Sequence, residues 1–156
     1  MSKIQKVIFV CQNNLCQSPV ATVILKNIKR DEWLEVESRG LVVLFPEPYS
    51  LKAYTLLQNN GLHMENGTAR QLEESDFAPD TYVLTMSRDQ KNKIINEYAL
   101  AQNVFSIMEF AGKSGDIMDP HGGNNDLYAM FYTSIYSWVN QVEIKIHEIN
   151  IKEEIK

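Results

Sequence analysis

The chain has 156 residues, a net charge of −5 and 44% hydrophobic residues. This length suits one domain with one core, and the composition excludes wholesale disorder. The acidic charge disfavours binding to nucleic acid or to an anionic membrane, because both need a basic surface.

The first part of the chain predicts a strand, a loop and a helix. Residues 6–10, Lys-Val-Ile-Phe-Val, form a short apolar run typical of a buried strand. Residues 11–17 are polar and predict a loop, after which Ser18 as N-cap and Pro19 at the first helical position predict a helix. The apolar face of this helix consists of Ala21, Ile24, Leu25 and Ile28.

Three further strands are predicted downstream. A weak signal begins at Val36 and ends near Gly40, and clearer ones cover residues 81–85 and 103–107. Because strands and helices alternate, the pattern predicts a single α/β domain over residues 1–156. Its four-stranded parallel sheet should carry helices on both faces.

Helix boundaries are predicted from capping residues. Ser50 is expected to cap one helix, and Ser87 with Gln90 forms a capping box at the start of another. Residues 109–125 predict a long loop, and Asn125 is expected to cap the last helix. The spacing of apolar residues predicts that the last helix packs on the core through Leu127, Phe131, Ile135, Trp138, Val142, Ile146 and Ile149.

The two cysteines, Cys11 and Cys16, lie five residues apart in the loop after the first strand, a spacing that suggests neither a disulfide scaffold nor a metal site. Ligands of parallel α/β sheets bind at the carboxyl ends of the strands, where helix N-termini point. Backbone N–H groups there can bind an anion, and the helix end lowers the pKa of a cysteine. Cys11 is therefore a candidate nucleophile toward phosphorus, with a small buried hydrophobe at the strand end as the alternative.

Residues 10–19, Val-Cys-Gln-Asn-Asn-Leu-Cys-Gln-Ser-Pro, resemble the phosphate-binding loop of the low-molecular-weight protein-tyrosine-phosphatases. That family's pattern is Cys, five residues, Arg and Ser. Residues 68–72, 83–86 and 109–112 are similar to later blocks of the family, and residues 115–123 resemble its acid loop, particularly in bacterial members. The resemblance covers nearly the whole chain.

This resemblance implies two-step hydrolysis of a phosphomonoester with no metal and no cofactor. Cys11 would attack phosphorus as a thiolate and become a phosphocysteine, and Asp119 would serve as general acid and then as general base. Ser18 would hydrogen-bond the Cys11 sulfur, and Asn14 with Ser38 would brace the loop. The loop residues expected to bind the phosphate are Gln12, Asn13, Asn14, Leu15, Cys16, Gln17 and Ser18.

Gln17 departs from the family pattern, which has arginine at this position. The arginine fork grips two phosphate oxygens at once, whereas the neutral glutamine amide supplies neither the charge nor the fork. Losing two charge-assisted hydrogen bonds in the transition state would cost about 3–5 kcal/mol, or roughly 10²–10⁴ in rate. We therefore expect impaired or altered phosphatase activity.

Other positions also differ from the family or bear on its substrate. Asn13 stands where the family usually has glycine, and a left-handed backbone is still allowed there because asparagine tolerates it better than most residues. Gly67 replaces a histidine of the family's loop-support network, and Asp119-Pro120 by itself would also suit a plain turn. The expected substrate rim is Leu15, Leu44, Phe45 and His121, with His121 equally suited to a solvated loop position. The bulk of Leu15 suits an aromatic phosphoester better than a guanidinium.

Three hypotheses about function remain open. The first is a weakened phosphatase acting on a phosphoprotein or a small aryl phosphate, which the retention of Asp119 favours. The second is a catalytically silent pseudo-phosphatase that binds an anion or a phosphoprotein partner. The third is a thiol redox protein, because Cys16 matches a family cysteine that can form a reversible disulfide with Cys11; a buried Cys16 packed under the loop is its alternative.

Two other protein classes with a related arrangement fit less well. Thioredoxin-coupled arsenate reductases share the fold but use further cysteines downstream, which this chain lacks. Phosphocysteine sugar-transport carriers are shorter and have no Asp-Pro acid loop. No apolar run reaches the ~18–20 residues of a membrane helix, and residues 1–5 lack signal-peptide features. We therefore expect a cytoplasmic monomer or weak dimer without nucleic-acid or membrane partners.

Overall fold

Strand β1 (Lys6–Cys11) is an interior strand of a four-stranded sheet. The structure is a computed structural model and describes residues 3–156. The neighbours of β1 are β2 (Glu35–Gly40) and β3 (Thr81–Thr85), and β4 (Val104–Ser106) pairs with β3. All pairs are parallel and the order is β2-β1-β3-β4, which confirms the predicted α/β fold. The predicted start of the domain at residue 1 lies outside the described residues.

Helices cover both faces of this sheet, as predicted. They are α1 (Gln17–Ile28), α2 (Leu51–Asn59), α3 (Arg88–Glu97), α4 (Ile107–Phe110) and α5 (Asn125–Ile155), with a 3₁₀ turn at Glu74–Asp76. Helices α1, α2, α4 and α5 contribute to the larger hydrophobic core, and α3 contributes Ile94 to a smaller core on the other face. Among residues 3–156, no helix is long and apolar enough to cross a bilayer.

The alternation of side chains along β1 determines where Cys11 points. Val7, Phe9 and Cys11 belong to the larger core, whereas Ile8 and Val10 belong to the smaller one. Cys11 is the last residue of the strand rather than the first of the loop. Its side chain therefore lies on the sheet face that α1 covers, beneath the loop that leads into that helix.

Helix α1 begins one residue before the predicted N-cap. Gln17 is its first residue and Cys16 its N-cap, and no side chain caps this end. The Ser18 hydroxyl contacts Cys11 and Asn14 instead of the helix backbone. Pro19 is then the third helical residue, which is compatible with a helix because the first-turn N–H groups have no intrahelical acceptor.

Other predicted caps agree closely with the structure. Ser50 accepts a hydrogen bond from the Ala53 amide, and Ser87 forms the predicted capping box with Gln90. The cap of α5 is Asn124 rather than Asn125, because the Asn124 side chain accepts from the Leu127 amide at 2.9 Å.

The predicted strand at 103–107 and the loop that follows it are both shorter in the structure. Only Val104–Ser106 pair with β3, and Ser106 then caps the short helix α4 by accepting a hydrogen bond from the Glu109 amide at 3.2 Å. Most of the predicted apolar stripe of α5 is confirmed: its core residues are Phe131, Ile135, Val142 and Ile146, with Trp138 and Ile149 partly buried against them. Leu127 is half-buried outside this core, and Val139, which was not predicted, is fully buried.

Candidate active site

The Cys11 loop, residues 12–16, connects β1 to the N-terminus of α1. Cys11 lies under this loop with 1% of its surface exposed, and its sulfur is 3.0 Å from Ser18 Oγ in the first turn of the helix. The backbone N–H groups at this helix end have no intrahelical acceptor, so they favour an anion or a thiolate nearby.

Asn14 connects the Cys11 loop to two other parts of the fold. Its Nδ2 donates to Ser18 Oγ at 2.9 Å and to Ser38 Oγ at 2.8 Å, and its Oδ1 accepts from the Arg70 amide at 2.9 Å. The side chain is fully buried. These three bonds place Asn14 between the loop, β2 and the segment around residue 70.

A left-handed backbone, which the sequence allows at Asn13, occurs at Asn14, whose φ is 58°. The Asn13 side chain instead accepts a hydrogen bond from the Leu15 amide at 3.2 Å. Asparagine is among the few residues that adopt a left-handed backbone readily, so the tight turn needs no glycine. The positive φ of this loop therefore lies one residue after the position where the family usually has glycine.

Residues 118–123, named here the Asp119 loop, face the Cys11 loop. The Asp119 carboxylate is exposed, and its Oδ1 accepts from the His121 amide at 3.0 Å, forming the turn that Asp-Pro suggests. The Gly123 amide donates to the Pro120 carbonyl at 2.8 Å, which closes the turn. Asp119 thus combines the predicted turn geometry with a carboxylate open to solvent.

A cavity of about 520 Å³ lies between the two loops. The Cys11 loop and the start of α1 contribute Gln12, Asn13, Leu15, Cys16 and Gln17. The Asp119 loop contributes Asp119, Pro120, His121 and Gly122. Ser50, Lys52 and Tyr128 complete the lining, and of these described residues only Lys52 carries a fixed positive charge. The cavity can therefore hold a ligand over the Cys11 loop with a carboxylate beside it.

Gln17, the first residue of α1, connects that helix to the Asp119 loop. Its side chain is 8% exposed, and its Nε2 donates to the Met118 carbonyl at 3.0 Å. The acceptor is the backbone group immediately before Asp119. One donor of the Gln17 amide is thus used to hold the neighbouring loop.

The family follows from a comparison of the whole chain. The family model for the low molecular weight phosphotyrosine protein phosphatases matches residues 6–154. The chain belongs to this family. The resemblance found in the sequence is therefore confirmed.

Two curated staphylococcal proteins illustrate the relationship, both named low molecular weight protein-tyrosine-phosphatase PtpB. The Staphylococcus epidermidis protein is 34% identical over 143 residues, which span 92% of this chain and 99% of that protein. The Staphylococcus aureus protein is 31% identical over 134 residues, spanning 86% and 94%. These relatives support a phosphatase function.

Solved structures of the family have the same fold. The low molecular weight protein tyrosine phosphatase from T. tengcongensis matches with a TM-score of 0.83 at 28% identity, over 90% of this chain and 98% of that one. The YwlE arginine phosphatase from Geobacillus stearothermophilus matches with a TM-score of 0.84 at 26% identity, over 94% and 96%.

Within this phosphatase-family site, Cys16 is buried enough to alter its acidity. Burial, with Cys11 and Asp119 nearby, raises the pKa of the Cys16 thiol to about 12, although the Lys52 charge opposes the shift. Cys16 therefore carries a proton at neutral pH. Both cysteines are free thiols in the structure.

Leu44 and Phe45 do not line the cavity of this phosphatase-family protein. They are 87% and 61% exposed and lie beside Asn13 in an adjoining groove of about 170 Å³. The amides of Leu41 and Val42 donate to the carbonyls of Cys11 and Gln12, both at 3.0 Å. This pairing holds the segment after β2 against the outer side of the Cys11 loop. Leu44 and Phe45, which follow it, therefore lie outside the cavity. Of the expected rim, Leu15 and His121 line the cavity itself.

Gly67, where many family members have a histidine, is packed against Tyr49. A Cβ at Gly67 would lie 2.7 Å from Tyr49 Cε2, so the tyrosine ring occupies the space that a larger side chain would need. Asn14 is braced by Ser38 and by the Arg70 amide. The support of the loop therefore combines a side-chain acceptor, the Ser38 hydroxyl, with a backbone donor, the Arg70 amide.

Sequence reasoning missed Lys52 and Met118. Lys52 is the second residue of α2 and reaches the cavity, where its Nζ donates to the Gly123 carbonyl at 3.2 Å and lies 4.6 Å from the Tyr128 ring centroid. Met118 acts through a backbone carbonyl, which no side-chain pattern can indicate. For metal binding, residues 3–156 contain no cluster of three or more His, Cys, Asp or Glu side chains.

Proposed function

We propose that this protein hydrolyses phosphomonoesters of the phosphotyrosine type, with Cys11 as nucleophile and Asp119 as general acid and base. The observation that carries the proposal is the 3.0 Å approach of Ser18 Oγ to Cys11 Sγ under a loop at a helix N-terminus. A hydroxyl at this distance donates to a thiolate and stabilises it as nucleophile and as leaving group. Asp119 borders the cavity between the two loops, and Cys11 itself lies buried beneath the Cys11 loop that lines this cavity.

Two displacements at phosphorus make up the proposed reaction. In the first, the Cys11 thiolate forms a P–S bond while the P–O bond to the leaving group breaks, and Asp119 gives its proton to the departing oxygen. In the second, water attacks phosphorus and gives a proton to Asp119, and the P–S bond breaks to release phosphate and the thiolate. Ser18 donates to the sulfur in both steps, and loop amides stabilise the charge on the phosphoryl oxygens.

Gln17 is proposed to lower the rate of this reaction. It provides no positive charge, and its Nε2 donates to the Met118 carbonyl. Two missing charge-assisted hydrogen bonds correspond to about 3–5 kcal/mol, or roughly 10²–10⁴ in kcat/KM. The wild-type protein should therefore turn over slowly relative to members that have arginine here.

Leu15 favours an aryl ester as the substrate. Its side chain is half-buried at the cavity, where it would contact an aromatic ring. It has no acceptor for guanidinium N–H groups, whose burial without partners is costly. The relatives include proteins named tyrosine phosphatase, and similar structures include ones named arginine phosphatase. A phosphotyrosine peptide, which carries a phosphate ester, and a phosphoarginine peptide, which carries a P–N bond, are therefore both informative test substrates.

A second candidate function is anion binding without turnover. The occupied Gln17 amide favours it, because the site then relies on backbone amides and Lys52 to hold a phosphoryl group. Such a protein would bind phosphate or tungstate and release no phosphate from esters.

The test measures phosphate release from p-nitrophenyl phosphate, a phosphotyrosine peptide and a phosphoarginine peptide. We expect slow turnover of the aryl esters, loss of turnover in Cys11→Ser, and a gain of at least tenfold in Gln17→Arg; Met130→Ala, on an exposed face of α5, is the control. Wild-type rates equal to those of arginine-containing members would contradict the impairment. Tungstate binding without turnover in either wild type or Gln17→Arg would favour the anion-binding function.

A further inference from the structure

The Asp119 loop is held at both ends by side chains from other elements. Gln17 Nε2, at the start of α1, donates to the Met118 carbonyl at 3.0 Å. Lys52 Nζ, in the first turn of α2, donates to the Gly123 carbonyl at 3.2 Å and lies over the Tyr128 ring. Between these two anchors lies the carboxylate that the proposed mechanism needs.

The Gln17 anchor is the more deeply placed of the two. Its side chain is 8% exposed, whereas Lys52 is exposed. Gln17 is also part of the first turn of α1, next to Ser18, which contacts the Cys11 sulfur. One hydrogen bond therefore links the helix that supports the nucleophile to the residue that precedes Asp119.

We infer that Gln17 is a positioning residue for Asp119, an assignment that rests on the proposed phosphatase function. The residue does not act mainly on the phosphoryl group. It fixes the start of the Asp119 loop against the Cys11 loop, so that the carboxyl group is in place when the leaving oxygen needs a proton. Lys52 fixes the other end of the same loop.

The two glycines of the Asp119 loop explain why contacts from other elements are needed to hold it in place. Gly122 and Gly123 lie inside the segment, and Gly122 has a φ of 78°. Glycine permits many backbone conformations, so an unanchored loop would place the carboxylate in the right position only part of the time. A general acid contributes only when it is within hydrogen-bond reach of the leaving oxygen.

The leaving group separates a positioning role from a phosphate-binding role. Protonation of the leaving oxygen is important for phenyl phosphate, because phenolate is a poor leaving group. It matters much less for p-nitrophenyl phosphate, whose nitro group stabilises the departing anion. A residue that positions the acid affects the first ester selectively, whereas a residue that binds the phosphoryl group affects both equally.

Gln17→Met is the decisive variant, because methionine has a similar length, no charge and no N–H donor. We expect kcat/KM for phenyl phosphate to fall by about tenfold and that for p-nitrophenyl phosphate to fall by less than about threefold. Asp119→Asn should show the same bias, and adding Gln17→Met to Asp119→Asn should cost little more. Gln141→Met, an exposed glutamine on α5, is the matched control and should change neither rate.

Hydrogen exchange gives a second readout that needs no turnover. The His121 amide donates to Asp119 Oδ1, so its exchange reports how often the Asp119 loop opens. We expect the His121 amide to exchange faster in Gln17→Met and in Lys52→Met than in wild type. In Lys52→Arg, which keeps a charged donor, its exchange should be slower than in Lys52→Met. Exchange of the β1 amides should not change in any of these variants. Unchanged exchange in β1 would also show that the variants remain folded, whether or not they are active.

Equal losses on both esters, together with a matching loss of tungstate affinity, would overturn the inference and assign Gln17 to the phosphoryl group. Unchanged exchange at the His121 amide in Gln17→Met would overturn it as well. If the wild-type protein hydrolyses neither ester, the proposed function fails and the positioning role fails with it. Turnover by wild type with no leaving-group bias in Gln17→Met refutes the positioning role alone.

Discussion

Replacing Asn14 with alanine tests whether the Cys11 loop is held by the bonds of a single buried side chain. Asn14 is fully buried and makes three hydrogen bonds, to Ser18 Oγ, to Ser38 Oγ and from the Arg70 amide, at 2.9, 2.8 and 2.9 Å. Its φ of 58° is also unfavourable for alanine. Asn14→Ala removes all three bonds and retains the unfavourable backbone.

The expected loss can be worked out from these features. A buried hydrogen bond contributes about 1 kcal/mol net, so three contribute about 3 kcal/mol. A left-handed backbone costs alanine roughly 1–2 kcal/mol, part of which asparagine avoids. Asn14→Ala should therefore lower the free energy of unfolding by about 3–5 kcal/mol. This is a large share of the total of roughly 5–15 kcal/mol that is typical of a domain.

Urea denaturation followed by tryptophan fluorescence measures this loss, which should move the midpoint by roughly 2 M. Asn14→Gly separates the two contributions, because glycine accepts the positive φ but makes no side-chain bonds. Asn103→Ala is the matched control, since Asn103 has a φ of 54° and a side chain that donates to the Pro79 carbonyl at 3.1 Å near the surface. If Asn14→Ala lowers the free energy of unfolding by less than about 1 kcal/mol, or by no more than Asn103→Ala does, the Asn14 side chain does not hold the Cys11 loop.

Three further predictions concern the core, the second thiol and the proposed covalent intermediate. Phe131→Ala should lower the free energy of unfolding by about 3–5 kcal/mol, because Phe131 is fully buried. Its control, Met130→Ala on the exposed side of α5, should change that free energy by less than about 0.5 kcal/mol. Equal urea midpoints for the two variants would contradict this prediction. Because the pKa of Cys16 is about 12, its thiolate is scarce at pH 8 and becomes abundant only as the pH rises toward 12. Peptide mapping should therefore find that iodoacetamide alkylates Cys16 far more slowly than a free cysteine. Alkylation at the rate of a free cysteine at pH 8 would be inconsistent with the burial of Cys16. Ser18→Ala removes the 3.0 Å partner of the Cys11 sulfur and should slow phosphocysteine breakdown by about tenfold, seen as a burst in rapid-quench assays; an unchanged steady-state rate would argue against this role.

Local sequence signals predicted most of the secondary structure. The apolar run at residues 6–10 is a strand, Ser50 caps α2, and Ser87 with Gln90 forms a capping box. These features depend on residues within a few positions of one another, so a sequence window contains all the information they need. Where a predicted boundary was wrong, as at Ser18, the side chain contacts a residue of another element, here Cys11 of β1, and does not cap the helix.

The proposed site was partly predictable for a different reason. Resemblance to the phosphatase family assigned Cys11, Ser18, Asn14 and Ser38 to one loop and its support, and the structure places these four in one hydrogen-bonded group. Leu44 was assigned to the rim in the same way but lies in the adjoining groove. The path of the segment after β2 decides this, and that path depends on backbone pairing with the Cys11 loop.

The amino-acid sequence was enough to predict an acidic α/β domain with two cysteines in one loop and a glutamine where the family has arginine. It could not determine where that glutamine points. Gln17 and the Met118 carbonyl are separated by 101 residues, and Lys52 and Gly123 by 71. Only the packing of α1 and α2 beside the Asp119 loop brings these groups within hydrogen-bond distance. The contact of Gln17 with the neighbouring loop is therefore visible only in the folded chain, because the direction of a side chain depends on partners that are distant in the sequence.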